Sequence, residues 1–175
     1  CDAKSALVDE LMRTGTVETP QEEKTWETLR AGGASWAEIL NTIHIGHMAL
    51  LRNLRGIFTE ISDMEQTRWI LNQLKKGVPD GKQFPYRYKS AYDAIKAASG
   101  IQHRQMILDT LEECIDIACG NMPTLPGRTI CLSDNSGSAW GCITSSYGSV
   151  RIAEIDNLSS VLTAHNSEEG FVGKF

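Results

Sequence analysis

Between Asn121 and Thr129 the rhythm of apolar residues changes. Upstream they recur every three or four positions; downstream comes the unbroken run Ile130-Cys131-Leu132. Pro123, Pro126 and Gly127 stand between the two regimes, and prolines there end any helix that reaches them. A chain of this kind has to join a helical part, residues 1–125, to a part built on a parallel sheet, residues 126–175. The expected fold class is therefore α followed by α/β.

The helical part reads as a series of short amphipathic segments. Ser5 to Arg13 is one, stopped by Gly15, and a polar loop containing Pro20 follows over 16–24. Trp26 to Leu29 starts a helical turn that Gly32 and Gly33 end. Ser35 with Glu38 three residues on has capping-box spacing. Behind it Trp36, Leu40, Ile43, Met48, Leu51, Leu54 and Phe58 mark the longest periodic run, with Gly46 as its candidate break. Met64 to Lys76 is expected to be helical and to stop at Gly77, with "VPDGKQFP" as a turn-rich connection. Ser90–Ser99 and Gln102–Cys119 complete the set. Helices on short loops point to a bundle or an α-solenoid. No clean internal repeat is visible.

After Pro126 the reading is strand, helix, strand: Thr129–Ser133, a Gly/Ser-rich loop over 137–149, Val150–His165, then a second strand from Phe171. One βαβ unit needs a parallel sheet to bury it, and two strands are few for that. At the carboxyl end of the first strand stand Asp134, Ser136 and Ser138, with Gly137 between the serines. Ligands of open α/β sheets bind at such strand ends. A carboxylate and two hydroxyls on alternate positions offer hard oxygen, the ligand type of Mg²⁺. The competing reading is a loop whose Asp caps the next helix.

Charge is unevenly spread. Residues 44–104 carry 10 basic and 5 acidic side chains, while the flanking segments are acidic and the chain totals -5. A local anion site is compatible with that balance; a uniformly nucleic-acid-coated surface is not. No apolar run reaches the length of a membrane span. Five cysteines without a secreted-domain spacing are expected to be reduced thiols of a cytoplasmic protein.

Three stretches carry a family resemblance. "LPGRTICLSDNSGSAWG" resembles the first strand and metal-ion-dependent adhesion site of a von Willebrand factor A domain. "HMALLRNLRGI" and "FPYRYKSAY" resemble the signature helices of the TROVE domain, the HEAT-like helical ring of the Ro ribonucleoprotein family. The resemblance implies binding of small non-coding, Y-like RNA and of single-stranded ends of defective RNA, without catalysis, and an RNA-processing protein as a further partner. It implies Mg²⁺ as cofactor, with Asp134, Ser136 and Ser138 as ligands. The family usually has an apolar residue at position 135 and Met at 139, where Asn135 and Ala139 stand here; neither is a ligand position. Further family ligands, a Thr and an Asp, come from later loops than this chain contains. The expectation is therefore a middle portion of a Ro-type protein, completed by further polypeptide that supplies the remaining ring helices and the rest of the A domain.

Arg52, Arg55, Arg87 and Lys89 are the candidate RNA contacts, since guanidinium groups match phosphate through paired hydrogen bonds. Arg104 lies in the same basic segment. For each, a solvated helix face or a helix–helix ion pair is the alternative. Tyr86-Arg87-Tyr88-Lys89 interleaves aromatic and basic residues as single-strand platforms do, or else anchors one helix on another. His44 and His47 have ligand spacing but no evident third partner; Cys114 and Cys119 read as helix core. A strand ending in Asp also occurs in haloacid-dehalogenase phosphatases, but their second Asp is here Ser136, which cannot serve as the acid. No nucleophile elbow surrounds Ser138. The remaining alternative is a metal-dependent protein-adhesion module on a helical scaffold, recognised by Mg²⁺-dependent protein binding without RNA.

Overall fold

The computed structural model describes residues 2–15, 25–143 and 150–175, with side chains from Val8 onward. The polar loop expected over 16–24 and residues 144–149 of the Gly/Ser-rich loop lie outside the described residues. Two units are distinguished, Cys1–His44 and Ile45–Phe175.

The first unit holds α1 (Asp2–Thr14), α2 (Trp26–Ala31) and α3 (Trp36–Thr42). Two capping boxes start the short helices. Thr25 pairs with Thr28, and the Ser35 backbone N–H donates to Glu38 Oε2 at 2.8 Å. That bond, with the Ser35 hydroxyl, holds the Glu38 carboxyl below the usual carboxylate range. Trp26 and Trp36 stack with ring centroids 5.8 Å apart.

The second unit begins with α4 (His47–Glu60), α5 (Met64–Gly81), α6 (Pro85–Ala97) and α7 (Arg104–Cys119). The run from Trp36 to Phe58 is thus two helices, and Gly46 is the N-cap of the second. Helix α4 packs on α5 and α6, and α7 packs on the same two. Between them lie Leu54, Ile57, Ile70, Leu74, Tyr88, Ile95, Ile107 and Leu111, each almost fully buried. Burying an apolar side chain of this size stabilises by roughly 1.5–3 kcal/mol, far more than helix propensity contributes.

Two helix boundaries here differ from the sequence expectation, and beyond α7 the second strand begins at Ser167 rather than Phe171. Helix α5 does not stop at Gly77 but runs through Pro79 to Gly81. A proline inside a helix costs about 3 kcal/mol or more, and tertiary contacts offset it. Val78 is fully buried, Asn121 donates to the Val78 carbonyl at 3.3 Å, and the Gln83 side-chain amide donates to the Gly81 carbonyl at 2.8 Å. Helix α6 starts at Pro85 rather than Ser90, because a proline at the first helical position lacks only an N–H that would be unpaired anyway.

Beyond α7 come β1 (Leu125–Ser133), α8 (Gly137–Gly141), α9 (Ile152–His165) and β2 (Ser167–Lys174). The strands pair in parallel, Ile130 opposite Phe171 and Leu132 opposite Gly173, and α9 packs on both. The helix-to-strand change expected at Pro126 is present. The strand starts at Leu125, with a register irregularity between Leu125 and Arg128 that accommodates Pro126. Residues 137–141, expected as loop, form the short helix α8. One sheet face lies under α9; the other leaves Ile130 and Leu132 at 70% and 62% exposure. Among the described residues the fold is mostly helical with a two-stranded parallel sheet, and no helix is long and apolar enough to cross a membrane.

Candidate functional site

Helices α4 and α6 leave a cleft of about 450 Å³ between them, lined by Met48, Leu51, Arg52, Gln83, Arg87 and Ser90, with alanines behind. Two of the four candidate RNA residues therefore face one space although 35 positions separate them in sequence. Arg55 lines a neighbouring cleft of about 360 Å³ with Ser90, Asp93, Ala94 and Val150. Among the described residues, Arg52, Arg55 and Arg87 are exposed and enter no ion pair with a carboxylate. Guanidinium groups left without carboxylates remain available to a phosphate.

Lys89 is placed differently. Its Nζ lies 2.6 Å from Asp93 Oδ2 and 4.0 Å from Glu154 Oε1 on α9. Arg104 turns back to donate to the Ala98 carbonyl at the end of α6.

The aromatic stretch is divided between core and surface. Tyr88 is fully buried, and its hydroxyl meets His47 Nε2 at 2.7 Å. Burial pushes the Tyr88 hydroxyl up to about 12 and lowers the His47 imidazole. The imidazole lies against α5, so close that a Cβ at Gly77 would stand 2.5 Å from His47 Nδ1 and one at Gly81 2.3 Å from Cδ2. His47 is thus the wedge that sets α4 against α5 and α6, at the end of the helices where the cleft of Arg52 and Arg87 opens. On the other side of α6, Tyr86 stacks with Phe84 at 6.0 Å and 11° between planes, and the Arg87 guanidinium sits 5.2 Å from the Tyr86 ring. Phe84 was not singled out from sequence, although Phe-Pro-Tyr-Arg contains the needed residues; only the helix start at Pro85 brings the two rings together.

At the end of β1 the Asp-Ser-Ser residues form a compact turn. The Ser136 N–H donates to Asp134 Oδ1 at 2.8 Å, and Ser136 Oγ lies 2.9 Å from Ser138 Oγ. Hydrogen bonds from the Ser136 backbone and side chain hold the Asp134 carboxyl below its ordinary range, so it is ionised at neutral pH. The two serine hydroxyls are joined by an ordinary O–H···O hydrogen bond, and all three groups are hard oxygen donors. Sequence reasoning missed Asp156 on α9, whose Oδ2 accepts the Asp134 N–H at 2.6 Å and which lines a cleft of about 520 Å³ with Asp134, Ala139 and Ile155. Asn135 and Asn157 exchange side-chain amide hydrogen bonds at 2.9 and 3.0 Å, fastening the same loop to α9. No group of three His, Cys, Asp or Glu residues able to hold a metal occurs among the described residues.

The TROVE domain family matches residues 10–112, more than half of the chain. The chain belongs to the TROVE domain family. The match contains the cleft of Arg52 and Arg87, the His47–Tyr88 wedge and the Phe84–Tyr86 stack. TROVE domains are RNA-binding scaffolds rather than catalysts. The Asp-Ser-Ser loop lies outside the matched TROVE residues. No solved structure matches the chain.

Proposed function

We propose that this TROVE chain is an RNA-binding component of a Ro-type ribonucleoprotein, taking small non-coding RNA and single-stranded ends of defective RNA. The observation that carries the reading is the cleft of Arg52 and Arg87, whose described lining residues include no carboxylate and lie inside the TROVE match. Arg55 extends the basic surface along α4. In this reading residues 1–125 are TROVE helices and residues 126–175 belong to an A domain, in a cytoplasmic particle. The uncovered Ile130–Leu132 sheet face supports further polypeptide as a partner, since parallel sheets are ordinarily covered on both faces.

Replacing Arg52, Arg55 and Arg87 together with alanine tests it. The triple variant should bind single-stranded RNA more weakly, and its plot of log affinity against log salt should flatten by up to about 2 units, roughly 0.7 per lost phosphate contact. An unchanged affinity and slope would move the RNA surface off these helices. Lys89→Ala should change both less than any of the arginines, because its ammonium already serves Asp93.

The Asp-Ser-Ser loop supports a second element of the proposal, a Mg²⁺ site to which Asp134, Ser136 and Ser138 contribute three oxygens at most, with water and later A-domain loops supplying the rest. Such an ion would offer a coordination position to a partner's carboxylate; in the alternative adhesion reading that contact stands without RNA binding. In the complete protein, with the later A-domain loops present, Asp134→Ala should abolish saturable Mg²⁺ binding in a calorimetric titration while leaving RNA affinity intact; in this chain alone the site should be weak or empty. Equal Mg²⁺ affinity in parent and variant would reduce the loop to the start of α8.

A further inference from the structure

Phe84 breaks a local rule. It is the N-cap of α6, where Ser, Thr, Asp or Asn would accept a backbone N–H, and it makes no side-chain capping bond. It is also 63% exposed. A single exposed ring is ordinary, but this one lies nearly parallel to Tyr86, the centroids 6.0 Å apart and the rings offset, so its faces remain largely open to solvent. Tyr86 carries the Arg87 guanidinium, and Arg87 reaches into the cleft that it shares with Arg52 and Gln83. An ordered aromatic face thus stands next to a pair of cations without carboxylates. Positions where a sequence gives up a local preference without a packing gain are where function is expected.

We infer that Phe84 is a stacking seat for one unpaired nucleobase, whose backbone phosphate is held by Arg52 and Arg87 in the adjoining cleft. The inference rests on the RNA-binding reading and adds to it the form of the ligand. A base inside a duplex has both faces covered by its neighbours and cannot lie on the ring, so the seat selects single strands. Stacking is nearly indifferent to base identity because every base has a π face. Sequence selectivity at this position is therefore low.

The test uses two labelled probes of equal length, a single-stranded uridine oligomer of about eight nucleotides and a ribose-phosphate oligomer of the same length lacking bases. Fluorescence anisotropy is measured on the parent chain, on Phe84→Leu and on the Arg52→Ala/Arg87→Ala double variant. Phe84→Leu should bind the uridine oligomer about tenfold more weakly and the base-free oligomer as the parent does. The arginine variant should lose affinity for both. Phe84→Trp should restore or exceed parental affinity for the uridine oligomer and bring quenching of its indole fluorescence. Equal uridine affinity in parent and Phe84→Leu, with loss in the arginine variant, overturns the stacking seat and leaves the RNA reading standing. Failure of the parent to bind either probe overturns both. Phe84 is mostly solvent-exposed, so thermal unfolding of the variants, followed by circular dichroism, should match the parent and exclude misfolding as the cause.

Discussion

Gly77→Ala should destabilise the chain by about 2 kcal/mol, against the direction that helix propensity sets. Alanine in a helix interior is favoured over glycine by about 1 kcal/mol, and Gly77 lies inside α5. The new methyl, however, would stand 2.5 Å from His47 Nδ1, 3.0 Å from Cγ and 3.1 Å from Cβ. Contact with Cβ means that rotating the imidazole about its own bond does not relieve the clash; the start of α4 must move. Overpacking of this kind costs about 1–3 kcal/mol. The displaced ring also gives up its hydrogen bond to Tyr88, leaving a fully buried hydroxyl unpaired at a cost of about 1–3 kcal/mol. The two penalties together outweigh the propensity gain. Urea unfolding followed by circular dichroism measures the balance as a lower midpoint at unchanged slope. A higher midpoint would mean that His47 does not sit in the notch of Gly77 and Gly81.

That notch also marks where sequence reading stops. The capping box of Ser35 and Glu38 and the helical spacing of Leu51, Leu54 and Phe58 are local signals that appear where the sequence puts them, and the change from helix to strand is present although the strand begins at Leu125 rather than Thr129. Continuation of α5 through Pro79 is not local. It depends on His47, thirty positions earlier than Gly77, filling space that only glycine leaves, and on Asn121 reaching the Val78 carbonyl. The alternation in Tyr86-Arg87-Tyr88-Lys89 fits a surface platform and an anchor between helices equally, and local sequence does not decide between them. Once Pro85 starts a helix, the four residues point around its circumference: Tyr88 enters the core, Lys89 goes to Asp93, and Arg87 goes to the cleft. Asp134, Ser136 and Ser138 were legible as a cluster because they are neighbours in sequence. Asp156 was not, since only the return of α9 over β1 brings it to the Asp134 backbone. The guanidinium chemistry of Arg52 and Arg87 is visible in sequence; that they share a cleft is a property of how α4 and α6 pack.

Tyr88→Ala should have the largest effect of any substitution considered, a loss of about 3–5 kcal/mol. Tyr88 is fully buried on α6, facing His47 of α4. Truncating a buried aromatic removes its transfer energy and leaves a cavity that the surrounding helices only partly close. Against a typical total of about 5–15 kcal/mol, that loss unfolds a marginal domain or lowers its midpoint severely. Tyr88→Phe separates the ring from the hydroxyl. It keeps the packing and loses the bond to His47 Nε2, so it should cost only about 1–2 kcal/mol. Among the described residues His47 Nδ1 has no hydrogen-bond partner, so the loss leaves the ring with neither nitrogen paired to a described residue. Because Gly77→Ala breaks the same hydrogen bond, combining it with Tyr88→Phe should cost less than the two single losses added, by about 1 kcal/mol. Strict additivity in that double-mutant cycle would show that the clash at Gly77 is absorbed without disturbing the His47–Tyr88 pair. An alanine at position 88 costing under about 1 kcal/mol would place the tyrosine outside the core altogether.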